Sequence, residues 1–74
     1  MSLYQEVEKK TKLLREDYGG MMSTKDLMRE LNRSRNTVNN WVKENGLEGV
    51  RIGRSIRYET DQVACVIVNA RGMV

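Results

Sequence analysis

The stretch Ser34-Arg35-Asn36-Thr37-Val38-Asn39-Asn40-Trp41-Val42-Lys43-Glu44-Asn45-Gly46-Leu47 carries helix-starting and helix-stopping residues at its two ends. Ser34 is placed to cap the first turn, because its hydroxyl can accept from a backbone N–H that has no partner within the helix. Asn45-Gly46 supplies a left-handed stop, after which Leu47 can fold back on the helix. At about 100° per residue, Val38, Trp41 and Val42 fall within roughly a third of the circumference. Arg35, Asn36, Asn39, Asn40 and Lys43 fall on the opposite arc. The spacing therefore predicts a helix over 35–45 with one buried and one polar face.

That polar arc has an unusual chemistry. A face that needs only to be soluble tends toward Glu and Lys, which are good helix formers, whereas the three asparagines here weaken the helix. Asparagine can bond bidentately to adenine at N6 and N7, and arginine to guanine at O6 and N7. The arc thus has the groups needed to read base edges in a major groove; the plainer alternative is a solvated surface.

Upstream, Ser23 and Asp26 have capping-box spacing, and Met22 and Leu27 are spaced as a hydrophobic staple. Leu27, Met28 and Leu31 then form the buried face of a second helix. Asn32-Arg33-Ser34 makes a short turn in which Asn32 can take a left-handed conformation. Two helices only about three residues apart must cross steeply, which is the helix-turn-helix arrangement.

Downstream, the periodicity changes to two: Val50, Ile52, Ile56 and Tyr58 alternate with Arg51 and Arg57 around Gly53-Arg54-Ser55, which predicts a β-hairpin. A two-residue loop at Arg54-Ser55 would set Ile52 opposite Arg57. A three-residue loop pairs Ile52 with Ile56 and Val50 with Tyr58, and parity favours it. In that register Arg51 and Arg57 are also opposite each other, a like-charge pair that an arriving anion would relieve. The hairpin arginines have two readings, edge-strand protection by charge or contact with nucleic acid. In the second, Arg51 and Arg57 suit phosphates, and Arg54 at the tip is placed to enter a minor groove.

At the N-terminus, Leu3, Val7, Thr11, Leu14 and Tyr18 lay one narrow stripe along a helix, supported by Glu6–Lys10 and Glu8–Lys12 pairs and ended by Gly19-Gly20. So narrow a stripe either packs on the body of the domain, the favoured reading, or pairs with a second copy. The run Val63-Ala64-Cys65-Val66-Ile67-Val68 is apolar and rich in β-branched residues, so it fits either a strand or a helix. Thr60-Asp61 ahead of it has the character of a helix start.

Seventy-four residues are enough for one small core. The net charge of +3 is unevenly distributed. Residues 23–58 hold eight basic side chains (Lys25, Arg29, Arg33, Arg35, Lys43, Arg51, Arg54, Arg57) against four acidic ones (Asp26, Glu30, Glu44, Glu48), and the flanking segments are neutral or slightly acidic. A basic middle is what a polyanion-binding face leaves in a composition. There is no His, and the one Cys has no charged neighbours in sequence. With no phosphate-binding loop or metal-ligand spacing either, no enzyme, cofactor, metal or small-molecule ligand is expected. One cysteine, no signal peptide and no long apolar run read as a cytoplasmic protein without a membrane partner.

Three pieces in order resemble the excisionase/MerR-like winged helix-turn-helix family: Met22 to Leu27, Ser34 to Leu47, and Val50-Arg51-Ile52-Gly53-Arg54-Ser55-Ile56-Arg57-Tyr58. The resemblance covers about half the chain. It implies a mainly α fold with a small β-hairpin, in which Ser34 opens a recognition helix, Trp41 lies in the core, the hairpin is the wing, and a closing helix begins near Asp61. Two departures stand out. The usual Gly-aliphatic turn is Asn32-Arg33 here, which lets Arg33 reach a phosphate, and Glu48 stands where the wing is usually approached through a proline. Residues 1–20 form an N-terminal amphipathic helix outside the family pattern, and residues 21–74 the winged domain. The candidate DNA-binding residues are Lys25, Arg33, Ser34, Arg35, Asn36, Asn39, Asn40, Lys43, Arg51, Arg54 and Arg57. The expected partner is double-stranded DNA, with a recombinase or a second copy joined through the N-terminal helix as further partners. The resemblance implies a mobile-element excisionase or a small transcriptional regulator. The rival is a protein-interaction module that turns the basic face toward an acidic protein.

Overall fold

Four helices and three short strands follow from a chain punctuated by caps. The computed structural model describes residues 2–72: helix α1 (Leu3–Tyr18), strand β1 (Met21–Ser23), helices α2 (Thr24–Leu31) and α3 (Arg35–Glu44), strands β2 (Val50–Ile52) and β3 (Ser55–Glu59), and helix α4 (Thr60–Gly72). The fold is mainly helical with a small antiparallel sheet ordered β1-β3-β2, the arrangement of a winged helix-turn-helix. No helix among the described residues is long and apolar enough to cross a membrane.

The caps form as their residue types dictate. Ser23 accepts from the Asp26 N–H at 3.2 Å while the Asp26 carboxylate accepts from the Ser23 N–H at 3.0 Å, completing a reciprocal capping box at the start of α2. The staple residues Met22 and Leu27 are both fully buried. Asn32 ends α2 in the left-handed region (φ 54°, ψ 51°), and Ser34 caps α3 by accepting from Thr37 N–H. At the far end of α3 it is Gly46, not Asn45, that turns left-handed, with φ 65° against −98° for Asn45. Leu47 N–H then donates to the Val42 carbonyl at 3.0 Å, and its side chain packs on the core.

One core gathers contributions from nearly every element. Leu14 of α1, Met22 of β1, Leu27 of α2, Val38 and Val42 of α3, Tyr58 of β3, and Val63, Ala64 and Ile67 of α4 form it, with Trp41, Met28, Leu31, Tyr18 and Leu47 partly buried around it. The apolar run of α4 is helical: its buried residues Val63, Ala64, Ile67 and Val68 recur at helix spacing, which a strand would scatter over two faces. Helix α1 packs on the body, chiefly on α4, with Leu14 of its stripe buried, Val7, Thr11 and Tyr18 half-buried, and Leu3 left exposed. Glu30 of α2 fastens it further, accepting from Lys10 Nζ at 3.0 Å and from Tyr18 OH at 3.2 Å. Arg15 pairs with Asp61 at 2.8 Å.

Strand β1 has no signal in the sequence because three residues are too few for a period. It exists because β3 is long enough to pair on both sides, placing Met22 opposite Tyr58 and Ser23 opposite Arg57.

The hairpin differs from the expected three-residue loop. Its register sets Val50 opposite Arg57, Arg51 opposite Ile56 and Ile52 opposite Ser55, so the loop is the two residues Gly53-Arg54. Arg51 and Arg57 are not an opposed pair, and Val50 does not face Tyr58. Two physical facts explain the difference. Gly53 has φ +62°, and among the described non-glycine residues only Asn32 has a positive φ, which is the pattern of a tight two-residue turn with glycine first. The parity rule, moreover, needs one face to be buried, and Val50, Ile52 and Ile56 are 48%, 50% and 43% exposed. With no core beneath this part of the hairpin, turn chemistry sets the register.

Candidate nucleic-acid interface

The polar arc of α3 faces solvent as a unit: Arg35, Asn36, Asn39, Asn40 and Lys43 are all exposed, while Val38 and Val42 are buried beneath them. Burial of the two valines fixes the helix's rotation about its axis, and so fixes which residues project.

The electrostatics of this helix set it apart. Helices α1, α2 and α4 each carry an acidic residue in the first turn (Glu6, Asp26 and Asp61), which suits the positive end of a helix dipole. Helix α3 carries none there, and its first residue is Arg35. An arginine at that end is repelled by the dipole, by about 0.3–1 kcal/mol, unless an anion is brought to it. Phosphate is the kind of anion such a helix start receives well. Ser34 Oγ also donates to Thr37 Oγ1 at 3.1 Å, so two exposed hydroxyls stand beside Arg35. Thr37 is signalled in the sequence only by its spacing from Ser34, which reasoning from charge and base-edge chemistry passes over.

Around this helix the remaining candidates are also accessible. Lys25 in the first turn of α2 is exposed, as is Arg33, whose Nη1 donates to the Asn32 carbonyl at 3.2 Å. On the wing Arg51 and Arg54 are exposed and Arg57 is half-buried. The two ion pairs among the described residues, Lys10–Glu30 and Arg15–Asp61, use none of the candidate residues. Their charges are therefore not neutralised by carboxylates within the described fold. At the wing's base Gly49 lies against two side chains of β3: a Cβ there would overlap Ile56 Cγ2 and approach Tyr58 Cε1 to 3.0 Å, so any larger residue at this position would force Ile56 to shift.

Two helices joined by the three residues 32–34, with a hairpin after the second, define the class as a helix-turn-helix domain with a wing, a type of domain that binds DNA. A family model described as a helix-turn-helix domain matches residues 21–64, and the chain belongs to that family, one of excisionase-like domains. No curated protein and no solved structure matches the chain.

Proposed function

We propose that this protein is a non-enzymatic DNA-binding factor that lays α3 in the major groove of a duplex and its wing on the flanking backbone or minor groove. The observation that carries the reading is the exposed arc of α3, where base-reading asparagines adjoin a helix start that has an arginine and no acidic residue. Asn36, Asn39 and Asn40 are the readers, with Arg35 and Lys43 at the ends of the arc. Lys25, Arg33, Ser34 and the wing arginines hold phosphates and set the docking register. No cofactor, metal or small-molecule ligand takes part, and the lone cysteine suits a reducing compartment such as the cytoplasm.

Within this reading the protein acts in mobile-element recombination as an excisionase beside a recombinase, or as a small transcriptional regulator. Both roles use the same surface. They part in how copies are arranged: an excisionase binds tandem sites cooperatively, and a regulator binds isolated or paired operators.

A salt titration of duplex binding tests the proposal. Neutralising four to six phosphates gives a slope of log affinity against log salt of roughly −4 to −5. Absence of duplex binding at low salt, with capture of an acidic protein instead, would overturn it in favour of a protein-interaction role.

A further inference from the structure

Helix α1 precedes the family match, and the fold uses only part of its surface. The helix packs chiefly on α4, yet beside that contact a shallow cleft of about 710 Å³ is lined by Tyr4, Glu8, Lys12, Arg15 and Glu16 of α1 and by Asp61 at the start of α4. All six are exposed, Tyr4 to 71%, so the ring is left almost wholly in water. None of the candidate DNA-binding residues lines this cleft.

The order of charges along the cleft says what fits it. Glu8, Lys12 and Glu16 take no part in the two ion pairs among the described residues. Both signs are present, so the surface is matched neither to a polyanion nor to a partner of uniform charge. Tyr4, Glu8, Lys12 and Glu16 follow at intervals of four and so form one row along the helix. At about 1.5 Å rise per residue, Glu8 and Lys12 stand about 3 Å to either side of the level of residue 10, and Tyr4 and Glu16 about 9 Å to either side. Turning the row end over end about that level brings Glu8 onto Lys12, Lys12 onto Glu8 and Tyr4 onto Glu16. The row is its own complement in an antiparallel pairing, whereas a parallel one sets Glu8 on Glu8 and Lys12 on Lys12.

Arg15 is also held in readiness. Its Nε and Nη2 both donate to Asp61 Oδ1, at 3.1 and 2.8 Å, while its side chain stays 55% exposed. A guanidinium held along its edge keeps its flat faces available to an aromatic ring. The half-turn that brings Tyr4 onto Glu16 also brings it to Arg15, one residue earlier.

We propose that this cleft is a homodimer surface, across which a second copy of the chain lays its own α1 antiparallel about a two-fold axis level with residue 10. Each copy sets Tyr4 against Arg15 and Glu16 of the other and Glu8 against Lys12, and every contact occurs twice because a two-fold interface uses one patch on both partners. With one helix flank per copy, the buried area falls below the roughly 1,200 Å² of a standard interface, so association is weak. The pairing itself is independent of DNA. One consequence rests on the DNA-binding reading above: a two-fold dimer presents its recognition helices in opposite senses, and so prefers inverted to direct repeats.

Sedimentation equilibrium of the DNA-free protein, at concentrations up to about 1 mM, tests the pairing. The parent should self-associate, and less so as salt rises. Glu8→Lys alone leaves lysine at both positions of the row and Lys12→Glu alone leaves glutamate at both, so each variant should associate about tenfold more weakly than the parent. Mixed in equal amounts, the two variants should regain association to within about threefold of the parent, because every contact between them joins opposite charges. Tyr4→Ala should weaken association about tenfold without rescue by either charge variant. Circular dichroism melts control for folding, and a folding defect in either charge variant would persist in the mixture. A parent that stays monomeric to about 1 mM overturns the pairing and leaves the cleft to a different chain. Single variants that associate as the parent does overturn it as well, as does a mixture no tighter than its components. Each of these results is read without DNA, whereas failure of the DNA-binding reading appears as no duplex binding and leaves the sedimentation result standing.

Discussion

Thr60 is fully buried at the start of α4, and its hydroxyl donates to the Gly19 carbonyl at 2.7 Å while its N–H donates to the Gly20 carbonyl at 3.1 Å. One residue therefore satisfies two carbonyls where α1 ends, and fastens that end to the junction between β3 and α4. Replacing Thr60 by the near-isosteric Val keeps the backbone bond but leaves the Gly19 carbonyl without its hydroxyl partner. Thr60→Val should lower the unfolding free energy by about 1–3 kcal/mol in urea denaturation.

The turn between α2 and α3 depends on Asn32 holding a left-handed conformation. A β-branched residue resists that region by roughly 1–2 kcal/mol, and glycine does not. Asn32→Val should be destabilised by about that amount, and Asn32→Gly should stay within about 0.5 kcal/mol of the parent, as measured by thermal or urea melts. The DNA affinity of each variant, measured well below its melting temperature, should follow the same order.

The division of labour between reader and clamp makes opposite demands on Asn39 and Arg57. Asn39→Ala should reduce the preference for the selected duplex over a random one by about 1–3 kcal/mol for an adenine that Asn39 reads. Arg57→Ala should weaken binding to both duplexes alike. Competition binding with the two duplexes distinguishes the outcomes, and the reverse pattern would exchange the roles.

Tyr18 provides a pH handle on the seam between α1 and α2. Loss of hydration and the neighbouring Glu30 carboxylate hold its phenol above the ordinary 10.0. The folded state therefore keeps the proton that the unfolded chain has already lost, so the contribution to stability is complete below pH 10 and disappears as pH rises through the folded-state value. Melting temperature should fall above about pH 10, with Tyr18→Phe showing a shallower alkaline decline.

Much of the fold is legible in the sequence because it is carried by local chemistry. Ser23-Asp26, Asn32, Ser34 and Gly46 each force a backbone choice within three or four residues, and α2 and α3 stand where those residues place them. The register of the hairpin is not legible by parity, because Val50, Ile52 and Ile56 look like a core face and are not one. Only the tertiary arrangement reveals that, along the hairpin, the core reaches Tyr58 and not Val50, Ile52 or Ile56. Strand β1 is set by the length of β3, a long-range cause that the residues Met21-Met22-Ser23 do not express. For the interface, the arc of α3 is readable because Val38 and Val42 orient it. Which face of the wing each arginine occupies is not, since that follows from the register.

The core described above crosses the limits of the family match. That match spans residues 21–64, but Leu14 lies before it and Ile67 and Val68 lie after it, all buried. The segment shared with relatives is therefore shorter than the segment that must fold together. A fragment trimmed to residues 21–64 would retain the reading helix and the wing but expose the hollow that Leu14, Ile67 and Val68 fill. Transplanting this domain into another protein should thus carry α1 and α4 along, as parts of the fold and not as detachable ends.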